Sequence, residues 1–149
     1  VRSVHMLRTR RHGAEASADV HIQVAPRLSV SEGHMISQAV EDRMIEKVES
    51  ITDVTVHIDP EDDEDAPTCA GLPLRADALQ ALEGVWNEIH AIPAQREIRL
   101  HYLSGKIEVE LILPLNSYVD ADTSRQLQAR LDGAANDLTW FGGLRLLYG

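Results

Sequence analysis

A single cysteine, Cys69, stands in the 149 residues of this chain. No internal disulfide can brace it, and so few thiols fit a reducing compartment such as the cytoplasm. Basic residues are also scarce: 14 Lys and Arg face 24 Asp and Glu, giving a formal charge of -10. That balance speaks against a nucleic-acid partner, because phosphate binding needs clustered Lys and Arg and the one cluster present is Arg8 to Arg11. No run approaches the roughly 20 apolar residues of a membrane-spanning helix, and no signal peptide opens the chain, so it is not expected to transport anything by itself. Missing too are H-E-x-x-H, G-x-S-x-G and any glycine-rich loop that cradles phosphate, which leaves little support for an enzyme.

What is present is ordinary for a soluble globular protein, with 44% hydrophobic and 26% charged residues in a length that holds one domain or two small ones. Strand-like sequence runs from about Val4 to Arg11, turns at His12-Gly13, and returns from about Ala16 to Ala25. After Pro26, Ser31 can cap a helix carrying Met35, Ile36, Val40, Met44, Ile45 and Val48 at three- and four-residue spacing. A third strand, Asp53 to Asp59, stops at Pro60. Five like charges, Glu61 to Asp65, then precede Ala66-Pro67 and read as a solvated linker.

Beyond it, Leu79, Leu82, Val85, Trp86 and Ile89 form one apolar stripe on a helix from about Arg75 to Ile89. Strands at Glu97 to Leu103 and Lys106 to Leu113 flank Ser104-Gly105, a two-residue hairpin signal. A helix over about Ala121 to Leu138 and a strand over Trp140 to Tyr148 complete this half. An offset of about ninety residues lays hairpin, helix and last strand of the first half on the second, so the expected architecture is α+β: tandem αββαβ units of ferredoxin-like type, helices on one face of small sheets. The expected divisions are 1–60, a linker 61–73, and 74–149. The first unit has no counterpart of the Arg75 to Ile89 helix, and the chain enters strand sequence almost at Val1, so an element upstream is expected.

Alternation places the histidines together. On a strand, residues two apart share a face, so His57 and Asp59 point the same way while Val54, Val56 and Ile58 face the core. Val20, Ile22 and Val24 likewise turn His21 outward on the side of Gln23, and Val4 and Met6 turn His5 outward, although Leu7 then shares the face of His5. A lone outward histidine is ordinarily a surface residue. Three strand histidines and an H-x-D pair on one inferred face read instead as a metal site. His34, near a helix start, is by its own spacing as readily a bystander as a ligand. At the offset positions of His21, His34, His57 and Asp59 stand Leu111, Ser124, Leu147 and Gly149, so the second unit is expected to hold no metal there.

Imidazoles with one carboxylate suit Zn2+, with Fe2+, Co2+, Ni2+ and Mn2+ as alternatives, far better than Mg2+ or Ca2+. If the site held two divalent ions, their charge would outweigh that of Asp59, so hydroxide or nearby acids such as Asp19 or Glu15 would help to neutralise it, and a weak, exchangeable site is expected. Ring nitrogens must shed protons to bind, so affinity should fall between about pH 7 and about pH 5.5. His12, His90 and His101 are scattered and read as surface or packing residues, Arg8 and Arg10 as solvated charges, and Cys69 as an incidental thiol.

The runs Val4-His5-Met6-Leu7-Arg8-Thr9-Arg10, Glu32-Gly33-His34-Met35 and Val56-His57-Ile58-Asp59-Pro60, with the His21 strand, resemble the cytoplasmic C-terminal domain of cation diffusion facilitator transporters over about residues 1 to 60. The resemblance implies a metallochaperone-like αββαβ fold, a homodimer beneath a transmembrane part this chain lacks, and a place on the cytoplasmic side of the inner or plasma membrane. It further implies that His5, His21, His34, His57 and Asp59 form a regulatory site for divalent metal, with Asp59 able to bridge two ions, and that metal stabilises the dimer. The competing classes are a freestanding metallochaperone-like protein, a metal-free dimerisation scaffold and, least supported, a two-metal hydrolase.

Overall fold

The structure, a computed structural model, describes residues 1–62, 66–90 and 92–149. Two compact units divide between Val1–Ala66 and Pro67–Gly149. Of the expected acidic linker, Asp63, Glu64 and Asp65 lie outside the described residues. Residues 67–74 associate with the second unit, where the Tyr102 hydroxyl donates to the Pro73 carbonyl at 2.9 Å.

In the first unit β1 (Ser3–His12), β2 (Glu15–Gln23), α1 (Val30–Lys47) and β3 (Ile51–Asp59) form a sheet of order β1-β2-β3, with β1 antiparallel and β3 parallel to β2. A parallel neighbour needs a crossover, and α1 supplies it. The helix begins two residues earlier than Ser31 would set it. Ser29 is the N-cap, its Oγ accepting from the Glu32 amide at 3.2 Å while Glu32 Oε2 accepts from the Ser29 amide at 3.0 Å, a reciprocal capping box. The Ser29 amide and the Ser29 hydroxyl both donate to Glu32 Oε2 and hold the Glu32 carboxyl below its ordinary range.

Alternation along β2 sets the core: Ala18, Val20, Ile22 and Val24 are buried, joined by Ile51 and Val54 and covered by Ile36, Val40 and Met44 of α1. Met35, Ile45 and Val48, expected on the apolar stripe, are exposed, because one narrow helix face suffices to cover a three-stranded sheet.

The second unit adds the helix missing from the first: α2 (Arg75–Trp86), β4 (Glu97–Leu103), β5 (Lys106–Leu113), α3 (Ala121–Ala135) and β6 (Phe141–Tyr148), with the sheet order β4-β5-β6. Ser104 and Gly105, at φ of 51° and 70°, make the tight turn between β4 and β5. Leu82, Ile107, Val109, Leu111, Leu113 and Leu131 are fully buried, and Trp86 donates its indole N–H to the Leu131 carbonyl at 2.9 Å, tying α2 to α3. The architecture is therefore α+β, with helices packed on three-stranded sheets in both units.

Counting from the pairs that close each hairpin, His12 opposite Glu15 and Leu103 opposite Lys106, places Ile112 rather than Leu111 at the position of His21. Parity demands it, since Leu111 is in the core and His21 faces outward. The same count puts Ile98 at the position of Leu7. Ile98 is 8% exposed beside α2, whereas Leu7, with no such helix over it, is 58% exposed.

Candidate metal centre

The outward face of the first sheet carries two rows of side chains. His21 lies opposite His57, and Gln23 opposite Asp59, because parallel pairing of β2 with β3 sets those residues in register. Antiparallel pairing brings β1 alongside, with one irregularity: the register shifts between Val4 and Met6, leaving His5 as the extra residue of a β-bulge.

The bulge corrects the simple alternation expected for β1. Val4 pairs with the core residue Ile22, but Met6 pairs with His21 and Leu7 with Val20, so Met6 stands on the outward face and Leu7 on the helix side. The conflict that Leu7 posed for an outward His5 is thereby removed, and His5 is carried over the sheet toward the end of β3.

There its Nε2 lies 3.0 Å from Asp59 Oδ2, and His21 Nδ1 lies 2.9 Å from the same oxygen. Two imidazoles from two strands thus converge on one carboxylate oxygen of a third. His57 stacks on His21, ring centroids 4.2 Å apart and planes 11° from parallel. His5 is tilted against His21 at 5.6 Å.

Burial sharpens the picture. The His5 side chain is 6% and that of Asp59 13% exposed, on the side of the sheet that α1 does not cover. Both ring nitrogens of His5 are buried and among the described residues neither has a hydrogen-bond partner; the contact with Asp59 is close but not aligned for one. A buried orphan of this kind costs on the order of 1–3 kcal/mol. A cation between His5, His21 and Asp59 would satisfy it.

The donor spacing fits. Ligand atoms of His5, His21 and Asp59 all lie within 4.8 Å of one another. Tetrahedral ligands at about 2.1 Å from zinc sit about 3.4 Å apart, so the donors stand near the spacing that an ion would require.

Not every expected ligand gathers there. His34 is exposed on α1, and among the described residues no hydrogen bond, ion pair or ring contact links its ring to the other four. With His57 it borders an open groove of about 600 Å³ between the start of α1 and the end of β3. Nor do Asp19 and Glu15 join the cluster.

Two residues outside the expected set belong to the description. Met6, expected inward, shares the face of His21, and only the parity conflict at Leu7 signalled that β1 breaks step. In the second unit His101 is not a scattered surface residue: its Nε2 lies 3.4 Å from Glu110 Oε2, and Arg145 Nη1 is 3.2 Å from Glu110 Oε1. No separation of sequence neighbours shows that trio, since each member comes from a different strand.

A family model described as "Cation efflux protein, cytoplasmic domain" matches residues 1–61. Among solved structures, a MamM C-terminal domain variant is 34% identical, with 42% of this chain covering 76% of that one at a TM-score of 0.40. The chain belongs to the cation efflux family. A cadmium form of another MamM variant is 32% identical at the same coverage, and a nickel form of a third is 31% identical over 42% of this chain and 78% of that one; the TM-score is 0.40 for each. A comparison with curated proteins finds no match. The first unit is thus a cytoplasmic domain of the cation efflux type, a transporter component and not an enzyme class. Among the described residues no helix is long and apolar enough to cross a membrane.

Proposed function

We infer that the first unit is the metal-responsive dimerisation module of a divalent cation efflux transporter. It binds zinc at His5, His21 and Asp59, with His57 adjoining and His34 serving a second position by way of the groove it shares with His57. The observation that carries this reading is the convergence of two imidazole nitrogens, at 3.0 and 2.9 Å, on Asp59 Oδ2, one of the imidazoles otherwise buried without a hydrogen bond.

Zinc, with Fe2+, Co2+, Ni2+ and Mn2+ behind it, is favoured because nitrogen donors dominate the set. Cadmium and nickel forms of the related MamM domain support divalent ions as a class. The cluster lies on the sheet face opposite the one that α1 covers, so a second copy docking there would share or shield the ion and bind in proportion to its occupancy. The transporter's membrane part would hold this dimer at the cytoplasmic side of the inner or plasma membrane. No role is assigned to the second unit, and among the described residues its His, Cys, Asp and Glu side chains form no group at metal-ligating spacing.

A zinc titration by calorimetry at pH 7.5, on this chain and on His57→Ala combined with Asp59→Ala, tests the reading when mass is followed by light scattering. Binding that disappears in the double variant, accompanied by a zinc-dependent rise in dimer mass, is expected. Equal weak binding in both proteins, with no change in mass, would reduce the module to a scaffold with idle histidines.

A further inference from the structure

The bulge at His5 does more than aim an imidazole. It places Met6 directly opposite His21, in the row that runs Met6, His21, His57 across the three strands of the sheet. Without the bulge, strict alternation from Val4 would send Met6 to the helix side with the core residues. With it, Met6, a half-buried residue, stands on the face on which His5, His21 and Asp59 converge.

Reach favours contact. Directly opposed residues on antiparallel strands have Cβ atoms about 5 Å apart, and a methionine has three rotatable bonds with which to bring sulfur over a neighbouring ring or beside an ion held by it. Chemistry then separates two groups of metals. A thioether adds little for zinc that imidazole and carboxylate do not supply, but it is a soft, polarisable donor that prefers soft cations.

We propose that Met6 is a specificity-determining ligand of this centre, whose sulfur biases it toward soft ions such as Cd2+ over Zn2+. This rests on the metal-binding reading of His5, His21 and Asp59. It adds a donor from outside the His and Asp set, and it assigns the bulge a role in metal choice.

The alternative is that Met6 only packs, shielding the buried ring of His5 from water. Met6→Leu separates the two roles, since leucine keeps the bulk and loses the sulfur. Calorimetric titrations with Cd2+ and with Zn2+, on the full chain and on Met6→Leu, are expected to show cadmium affinity lowered about tenfold and zinc affinity unchanged within about twofold. The 113Cd resonance of the bound ion should move upfield when sulfur leaves. An unchanged cadmium-to-zinc ratio, or equal losses for both metals with no movement of the resonance, would overturn the assignment while leaving the zinc site standing. Absence of binding of either metal to the unaltered chain would instead overturn the metal site itself, and this assignment with it.

Discussion

Asp59 is the residue on which the site turns. Its Oδ2 meets both His5 and His21, so replacing it removes the one anionic donor and the point that holds the two rings together. Asp59→Asn is expected to weaken zinc by about 100-fold, against about tenfold for His57→Ala, whose ring stacks on His21 from the side. Isothermal titration of the two variants checks that order; equal losses would mean that His57 is as central as Asp59. The H-x-D pair was legible in the sequence because period-two alternation fixes a face on β3. The partner that completes the cluster, His5, was legible as a residue type but not as a geometry, because a β-bulge breaks the count and leaves no mark in composition. His34 shows the converse limit: a helix places it by the groove at the end of β3, and nothing in its spacing says whether it reaches the others.

At the scale of elements, caps and edges give tests that leave the metal aside. Ser29→Ala removes the acceptor that meets the Glu32 amide and should cost the first unit about 1 kcal/mol in denaturant unfolding. Ser31→Ala, the cap that the sequence had suggested, should cost less. In the second unit Asp120 caps α3: hydrogen bonds from the Thr123 amide and then the Thr123 side chain hold its carboxyl below the ordinary range. A carboxylate so depressed stabilises the fold above its unfolded value and loses that contribution as pH falls through its folded one. The melting temperature of Asp120→Asn should therefore lie below that of the unaltered chain near neutrality and approach it under strongly acid conditions; a gap that widened on acidification would contradict the sign. The ends of β4 and β5 were readable to the residue because Ser104-Gly105 dictates a two-residue turn. The end of α2 was not: Ile89 continues the apolar stripe and is buried, yet the helix stops at Trp86, since burial needs only a side chain that reaches the core.

For the whole molecule, the repeat was visible as a pattern of elements rather than as matching residues, and the hairpin count then moved the counterpart of His21 from a core leucine to Ile112. Each unit has its own core, one built on Val20 and Ile22 and the other on Leu82, Leu111 and Leu131. Leu82→Ala should accordingly cost the second unit about 2–5 kcal/mol and leave the zinc isotherm unchanged. Calorimetric melting with and without zinc should raise the transition of the first unit and not that of the second. The most direct test of the account is anomalous diffraction at the zinc edge from crystals of the chain grown with zinc. A peak about 2.0–2.2 Å from nitrogens of His5 and His21 and from a carboxylate oxygen of Asp59 is the expected result. A peak held by other residues, with His5, His21 and Asp59 bonded only to one another, would contradict it.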